Sequence, residues 1–232
     1  MKLHEHVPGV IWIASYPIRM AMAVFDARTS IVRSRDGGLV VHSPGPLDRA
    51  ARDEILALGH VRAIVAPGNF HHLYVADCQR AFPDAATWIC PGVEHKQPQL
   101  RYDDILDDEA PALLGEFDQV VVRGGRYMCE VAMLHRPSRT LLLVDLLENF
   151  TDATTGASWI VRASFKALGM WNAPAPAPEY RFGWNDRRAA RRSLERILAW
   201  DFDRIVISHG ELIDEHAKDV ARRAWQPILG TS

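Results

Sequence analysis

Short β-branched apolar runs, separated by turn residues, dominate the first forty positions of the chain. Such runs occupy residues 10–13, 20–25 and 31–33, and an Asp-Gly-Gly turn at 36–38 leads into another run at 39–41. Two β-rich runs that flank an Asp-Gly turn are typical of a hairpin. The N-terminal part of the chain is therefore predicted to consist of strands.

The next fifty residues alternate between strand and helix patterns. A helix is predicted to begin near Leu47 or Asp48 and to end at Gly59, because apolar residues recur along one face between them. Buried strands are predicted at 61–65 and 87–90, with a second helix between them that continues through Arg80. This strand-helix alternation predicts an α/β layered domain.

The rest of the chain continues the same mixture after a less regular stretch at 91–116. The predicted elements there are strands at 117–122, 129–134, 140–144 and 204–207, helices at 157–168 and 214–225, and a helix with its N-cap at Asn185. No internal repeat, low-complexity stretch or linker interrupts the pattern, so residues 1–232 are predicted to form one domain.

Residues 169–184 are predicted to form a long ordered loop that is rich in proline, glycine and aromatic residues. Two interpretations remain open. Long aromatic loops are often functional, so this one is a candidate lid over a site. The alternative is a loop that its aromatic side chains pin to the surface.

Composition and charge describe an ordinary globular protein. The chain is 48% hydrophobic and 24% charged, with a formal net charge of -2, so no electrostatic feature favours nucleic acid or an anionic membrane as a partner. The arginines at 187–196 have helical spacing, which is typical of a solvated helix face. We expect a small-molecule substrate or ligand as the partner.

The three cysteines and the N-terminus indicate a reducing compartment. Cys78, Cys90 and Cys129 are far apart and form no Cys-x-x-Cys pair, so a zinc knuckle is not supported and free thiols are expected. The N-terminus lacks the apolar core of a signal peptide, and no apolar run approaches the ~18 residues of a membrane span. A cytoplasmic location is predicted.

Polar residues that could carry chemistry follow four of the predicted strands. They are His42, the pair His71-His72, Asp145 and His209. Strand ends in α/β sheets meet at one edge, which is where ligand sites gather. Imidazole and carboxylate together suit zinc, iron(II) or manganese. The spacing alone leaves two interpretations open, a metal site and histidines that hydrogen-bond to the backbone.

Two other polar clusters are predicted to be inert. The acidic pairs at 103–104 and 107–108 lack EF-hand spacing, so a solvated loop is expected there. His4 and His6 lie near the N-terminus, where a frayed, exposed segment is expected.

The order of elements and the residues at 63–72 resemble the metallo-β-lactamase fold superfamily. Members of that superfamily carry His-x-His-x-Asp-His between a buried strand and a helix. Here Pro67 and Asn69 stand at the positions of the first two histidines, His71 stands at the aspartate, and His72 keeps the last histidine. The resemblance implies an α/β fold, an αββα sandwich in which helices flank two mixed β-sheets, with a metal site along one sheet edge.

The later ligand positions of the superfamily fall on residues of matching type. The strand-end aspartate corresponds to Asp145, and the late histidine corresponds to His209 in a Ser-His-Gly turn. The middle histidine has no equivalent, and Glu130 is the one carboxylate in the stretch 126–130 where it is expected. Together with Ser43-Pro44, these residues resemble an uncharacterised branch of the superfamily for which no substrate is established.

The missing histidines lead to a hypothesis of one metal ion rather than two. The resemblance implies His71, His72, Asp145 and His209 as candidate ligands of zinc, iron or manganese, and Glu130 and His71 as catalytic candidates. The expected activity is hydrolysis of a small ester, thioester, amide or lactone, with Glu130 or the second histidine of the His71-His72 pair as general base. The alternative is a metal-free binding or regulatory protein that kept the scaffold and lost the chemistry.

Overall fold

The computed structural model describes residues 1–230, which contain eleven strands and seven helices. The strands are β1 His4–Val7, β2 Ile11–Met20, β3 Ala23–Arg33, β4 Leu39–His42, β5 Val61–Ala66, β6 Ala86–Ile89, β7 Asp104–Ile105, β8 Phe117–Val122, β9 Glu130–His135, β10 Thr140–Leu142 and β11 Arg204–Val206. The helices are α1 Arg49–Leu58, α2 Val75–Ala81, α3 Val93–Lys96, α4 Trp159–Ala167, α5 Pro178–Arg181, α6 Arg187–Ala199 and α7 Ala217–Leu229.

The first seven strands form one mixed sheet in sequence order. β1 to β4 pair antiparallel, whereas β4 to β7 pair parallel. The parallel pairs need crossovers, and α1 and α2 supply those between β4 and β5 and between β5 and β6. The parallel register aligns His42 with Val65, so β4 and β5 end at the same edge.

The last four strands form a second mixed sheet in the order β11-β10-β9-β8. β10 pairs parallel with β11 and antiparallel with β9. Residues of β8 alternate between two cores: Val121 packs against the first sheet, whereas Val120 and Val122 pack with α6 and α7. The two sheets therefore face each other between helical layers, and the predicted αββα sandwich with two mixed sheets is confirmed.

The N-terminal strands differ from their predicted bounds. Residues 20–25 were expected to form a strand, but Met20 ends β2 and Ala23 begins β3, with Ala21 in the left-handed region at φ 52° between them. The expectation of a frayed segment at His4 and His6 is wrong, because β1 pairs with β2 there. Tertiary pairing outweighs local propensity at both places.

Three other elements refine the predictions. The side chain of Asp186, not that of Asn185, accepts the backbone N–H of Ala189 and caps α6. The stretch 91–116 contains α3 and β7, and Asp108 forms ion pairs with Arg123 and Arg196 instead of standing solvated alone. Within residues 1–230, none of the helices combines the length and the apolar character that a membrane crossing requires.

Candidate metal centre

Three side chains from separate strand ends meet at one edge of the sandwich. His71 follows β5, Asp145 follows β10 and His209 follows β11, and one ligand atom from each lies within 4.8 Å of the other two. The Nε2 atoms of His71 and His209 lie 3.2 Å and 3.4 Å from the same Asp145 oxygen, Oδ1. Two imidazoles and a carboxylate thus converge on one small volume, as the strand-end positions in the sequence predicted.

The orientation of His209 is set by a backbone carbonyl of β3. Its Nδ1 lies 2.9 Å from the carbonyl oxygen of Asp26. A carbonyl oxygen only accepts, so Nδ1 must donate, and in the neutral ring Nε2 then bears a lone pair that faces Asp145. A lone pair and a carboxylate repel each other unless a proton or a cation lies between them.

His71 is held between Asp145 and Ser43. Its Nδ1 lies 2.9 Å from the hydroxyl of Ser43, which stands directly after β4 in the left-handed region at φ 54°. Burial lowers the pKa of the His71 ring, but Asp145 on its other side outweighs burial, so the net effect is a raised pKa. A non-glycine residue at this φ is uncommon, and here it aims the hydroxyl at the imidazole.

Asp145 owes its position to Glu130. The two Glu130 oxygens accept the backbone N–H groups of Val144, Asp145 and Leu146 at 2.8, 2.8 and 2.7 Å. Burial and the nearby Asp145 raise the pKa of Glu130 to about 7, although the three N–H groups act in the opposite direction. Burial also disfavours the charge on Asp145, yet His71 and His209 outweigh it and hold the pKa of that carboxyl below its usual range.

The remaining sequence-predicted residues lie around the three-residue cluster rather than in it. His72 lines the adjacent cavity, and its Nδ1 is buried with no hydrogen-bond partner among the described residues. Glu130 lies behind Asp145, with both oxygens occupied by backbone groups. Asn69 makes structural contacts, since its side chain accepts from Cys129 N and donates to the Tyr127 carbonyl.

Sequence reasoning missed two partners of the cluster. In the sequence, the Ser43-Pro44 pair contributes only to the family resemblance, because the left-handed turn that aims the Ser43 hydroxyl has no simple local signature. The Asp26 contact is a backbone carbonyl, which any residue at that position would offer. No side-chain pattern could therefore have identified it.

The cluster opens into a cavity of about 500 Å³ between β2, β3, α4 and the loop at 169–184. The segment 169–184 is not a loop throughout, as predicted, because α5 lies within it, and it forms part of the wall through Ala177 and Pro178. Tyr180 is fully buried and stacks on Trp184, with ring centroids 4.7 Å apart. Tyr180 and Trp184 therefore pack the segment against the body of the protein, whereas Phe182 is 68% exposed, and motion of a lid stays a prediction.

Known structures share this architecture at low sequence identity. No family model matches the chain, and no curated protein sequence does so. A metallo-beta-lactamase from Pontibacter korlensis superposes with a TM-score of 0.65 at 13% identity and covers 97% of this chain and 99% of its own. One from Hirschia baltica superposes with a TM-score of 0.66 at 9% identity, over 100% of this chain and 98% of its own.

A third structure of this kind is the metallo-beta-lactamase FIM-1 from Pseudomonas aeruginosa in its mono-zinc form. It has a TM-score of 0.65 at 10% identity, over 99% of this chain and 96% of its own. The chain therefore has the metallo-β-lactamase fold along nearly its whole length. At such identities the likeness concerns the fold, and the function must be argued from the site.

Proposed function

We propose that the protein is a mononuclear metal-dependent hydrolase that acts on a small ester, thioester, amide or lactone. The observation that carries the proposal is the convergence of His71, Asp145 and His209, which line a cavity and whose ligand atoms lie within 4.8 Å of one another. The mono-zinc form of a protein with the same fold supports the choice of one metal ion.

The donor set fits a borderline divalent cation. Two imidazole nitrogens and one carboxylate oxygen suit zinc, iron(II) or manganese, and three protein ligands leave a position open for water or substrate. The lone pair of His209 Nε2 faces Asp145, a geometry that a cation between them would relieve. A bound ion would act as a Lewis acid toward an acyl carbonyl and would acidify a water molecule.

The surrounding residues would position the metal ligands and assist proton transfer. Glu130 holds the backbone on both sides of Asp145, so we assign it a positioning role rather than that of the base. Ser43 and the Asp26 carbonyl orient the two imidazole rings through their Nδ1 atoms. His72 lines the cavity, whereas backbone groups occupy both Glu130 oxygens, so of these two residues we assign His72 as the general base.

One observation favours the alternative, a metal-free binding protein. His71 and Asp145 are within hydrogen-bond distance at 3.2 Å, and His71 also contacts Ser43, so both nitrogens of that ring have partners without a metal. Under this alternative the cluster would fix the sheet edge, and the cavity would bind a ligand without reaction.

Metal content distinguishes the two. The tag-free protein would be analysed by elemental mass spectrometry beside the His209→Ala, Asp145→Ala double variant, with His95→Ala as the control because that side chain is 85% exposed and lies outside the cluster. We expect near-stoichiometric zinc, iron or manganese in the wild type and the control, and none in the double variant. A wild type that stays metal-free after incubation with all three ions would contradict the proposal.

A further inference from the structure

The cavity beside the metal centre is divided into a polar end and apolar walls. The β2–β3 hairpin and α4, which packs on β3, supply the apolar walls. The apolar lining begins at the cluster itself, since the Phe25 ring lies 5.0 Å from the His209 ring, centroid to centroid. The apolar side chains of the two walls are Ile18, Met20, Ala23, Phe25, Ala27, Ile160, Val161 and Phe165.

Two polar groups beside the cluster lack partners among the described residues. Glu148 Oε2 and His72 Nδ1 are buried, belong to residues that line the cavity and form no hydrogen bond. The exposed fractions of these residues are only 6% and 9%. Buried polar atoms are ordinarily satisfied, so two unpartnered ones in residues that line the cavity mark this end of it as the polar end.

The charges around the cavity argue against a phosphorylated or sugar ligand. Three carboxyl groups, those of Asp145, Glu148 and Glu179, outnumber the two cations of the lining, Arg19 and Lys96, which disfavours an anionic ligand. Lys96 donates to the Asn69 carbonyl at 2.7 Å and lies over the Phe70 ring, so two contacts already hold its ammonium group. The apolar walls offer few partners for the hydroxyl groups of a sugar.

We propose that the cavity is an acyl-chain site, in which the substrate is an ester or thioester of a medium-length, unbranched carboxylic acid. The hydrocarbon chain lies along the apolar side chains of the β2–β3 hairpin and α4, and the carbonyl end faces the His71, Asp145 and His209 cluster. This inference rests on the proposed function. In the reaction, water adds to the acyl carbon, the C–O or C–S bond breaks, and the products are a carboxylic acid and an alcohol or thiol.

The chain-length dependence of binding tests the site without any reaction. Primary alcohols from hexanol to decanol would be titrated into the protein by calorimetry. Burial of each added methylene in an apolar site is worth about 0.8 kcal/mol, so we expect affinity to rise roughly fourfold per carbon until the cavity is full.

Two substitutions on α4 provide a matched pair. Ser164 lines the cavity and is exposed, so Ser164→Trp would obstruct the chain without disturbing the core, whereas the neighbouring Ala163 is exposed and does not line the cavity. We expect Ser164→Trp to abolish the gain for the longer alcohols and Ala163→Trp to retain it. Ala23→Trp would obstruct the cavity from the β2–β3 hairpin, and it replaces Ser164→Trp as the obstructing variant if that protein does not fold. The proposal would be overturned if the affinity for the alcohols did not depend on chain length. It would also be overturned if the obstructing and control variants lost the same affinity for the longer alcohols.

Hydrolysis of p-nitrophenyl acetate, hexanoate and decanoate by the metal-loaded protein separates the two proposals. Metal uptake and acetate hydrolysis without any dependence on chain length, in reaction or in alcohol binding, would overturn the acyl-chain site alone. Chain-length-dependent alcohol binding by a protein that takes up no metal would contradict the hydrolase proposal and support the acyl-chain site.

Discussion

Glu130 shows how one buried carboxylate can organise a site that it does not touch. Its oxygens accept three consecutive backbone N–H groups, from Val144 to Leu146, at the point where β10 has ended and Asp145 must point outward. These N–H groups leave the strand ladder, so without Glu130 they would be buried donors with no acceptor. The side chain therefore replaces the missing strand partner.

Replacement of Glu130 by glutamine tests this role. Glutamine keeps one accepting oxygen but turns an NH₂ group toward backbone N–H donors, so at least one donor is left unsatisfied. We expect a loss of about 1–3 kcal/mol in the free energy of unfolding and a drop in metal affinity of at least about tenfold. Urea denaturation and metal titration measure the two effects. Glu215→Gln, at an exposed position, is the control and should change neither.

The sequence allowed the three polar residues of the cluster to be predicted, but not the groups that hold them in place. His71, Asp145 and His209 each follow a buried strand, and a strand end is recognisable from the apolar run before it. Their partners depend on three-dimensional packing, as the Asp26 carbonyl does, which lies 183 residues from His209 in the chain. Whether a carboxylate such as that of Glu130 binds a metal or positions the backbone depends on the direction of its side chain. The position of the residue in the motif does not give that direction.

At the scale of elements, the pairing of strands fixes strand bounds that local β propensity leaves uncertain. The β2–β3 hairpin is one continuous antiparallel ladder from Ile11 opposite Val32 to Met20 opposite Ala23. In the sequence, Pro17 and the polar residues around it break this ladder into short runs, so only fragments of it were predicted. The parallel strands were easier to predict, because β5 and β6 are buried on both faces and appear as continuous apolar runs.

The turn after β11 sets the direction of His209. Gly210 has φ 83°, and a Cβ there would overlap the carbonyl oxygen of Asn149. Its own carbonyl accepts from the Arg28 guanidinium at 2.9 Å, so the turn is held from both sides. A side chain at this position would therefore push His209 away from Asp145.

A comparison of alanine substitutions at two glycines separates the cost of the overlap with Asn149 from the cost of a positive φ. Gly9 also has a positive φ, 69°, but open space where a Cβ would stand, so Gly9→Ala carries only the conformational cost of about 1–2 kcal/mol. We expect Gly210→Ala to be destabilised by at least about 1 kcal/mol more than Gly9→Ala in urea denaturation. Gly210→Ala should also lose metal, whereas Gly9→Ala should retain it. Equal costs and equal metal contents would show that the Asn149 contact does not constrain the turn.

At the scale of the whole molecule, the sandwich buries titratable groups, and this burial makes the free energy of unfolding depend on pH. His42 ends β4 in the middle of the seven-stranded sheet, is 2% exposed and has no partner for Nε2 among the described residues. Burial, with a smaller contribution from His71, lowers the pKa of His42 to about 3. The folded protein therefore keeps this ring neutral at a pH where the unfolded chain, with a pKa of about 6.5, protonates it.

The consequence is a loss of global stability in mild acid. Because the unfolded state binds the extra proton between about pH 6.5 and pH 3, the free energy of unfolding falls as the pH falls through that range. From pH 7 to pH 5 this one residue accounts for about 2 kcal/mol, at 1.36 kcal/mol per pKa unit. Urea denaturation of His42→Leu at the two pH values should show a pH-dependent loss smaller by that amount. The cost of the substitution itself cancels in the difference between the two pH values. The exposed His95→Gln is the control and should keep the wild-type loss, and a His42→Leu protein with the same loss as wild type would mean that His42 is already protonated in the folded state.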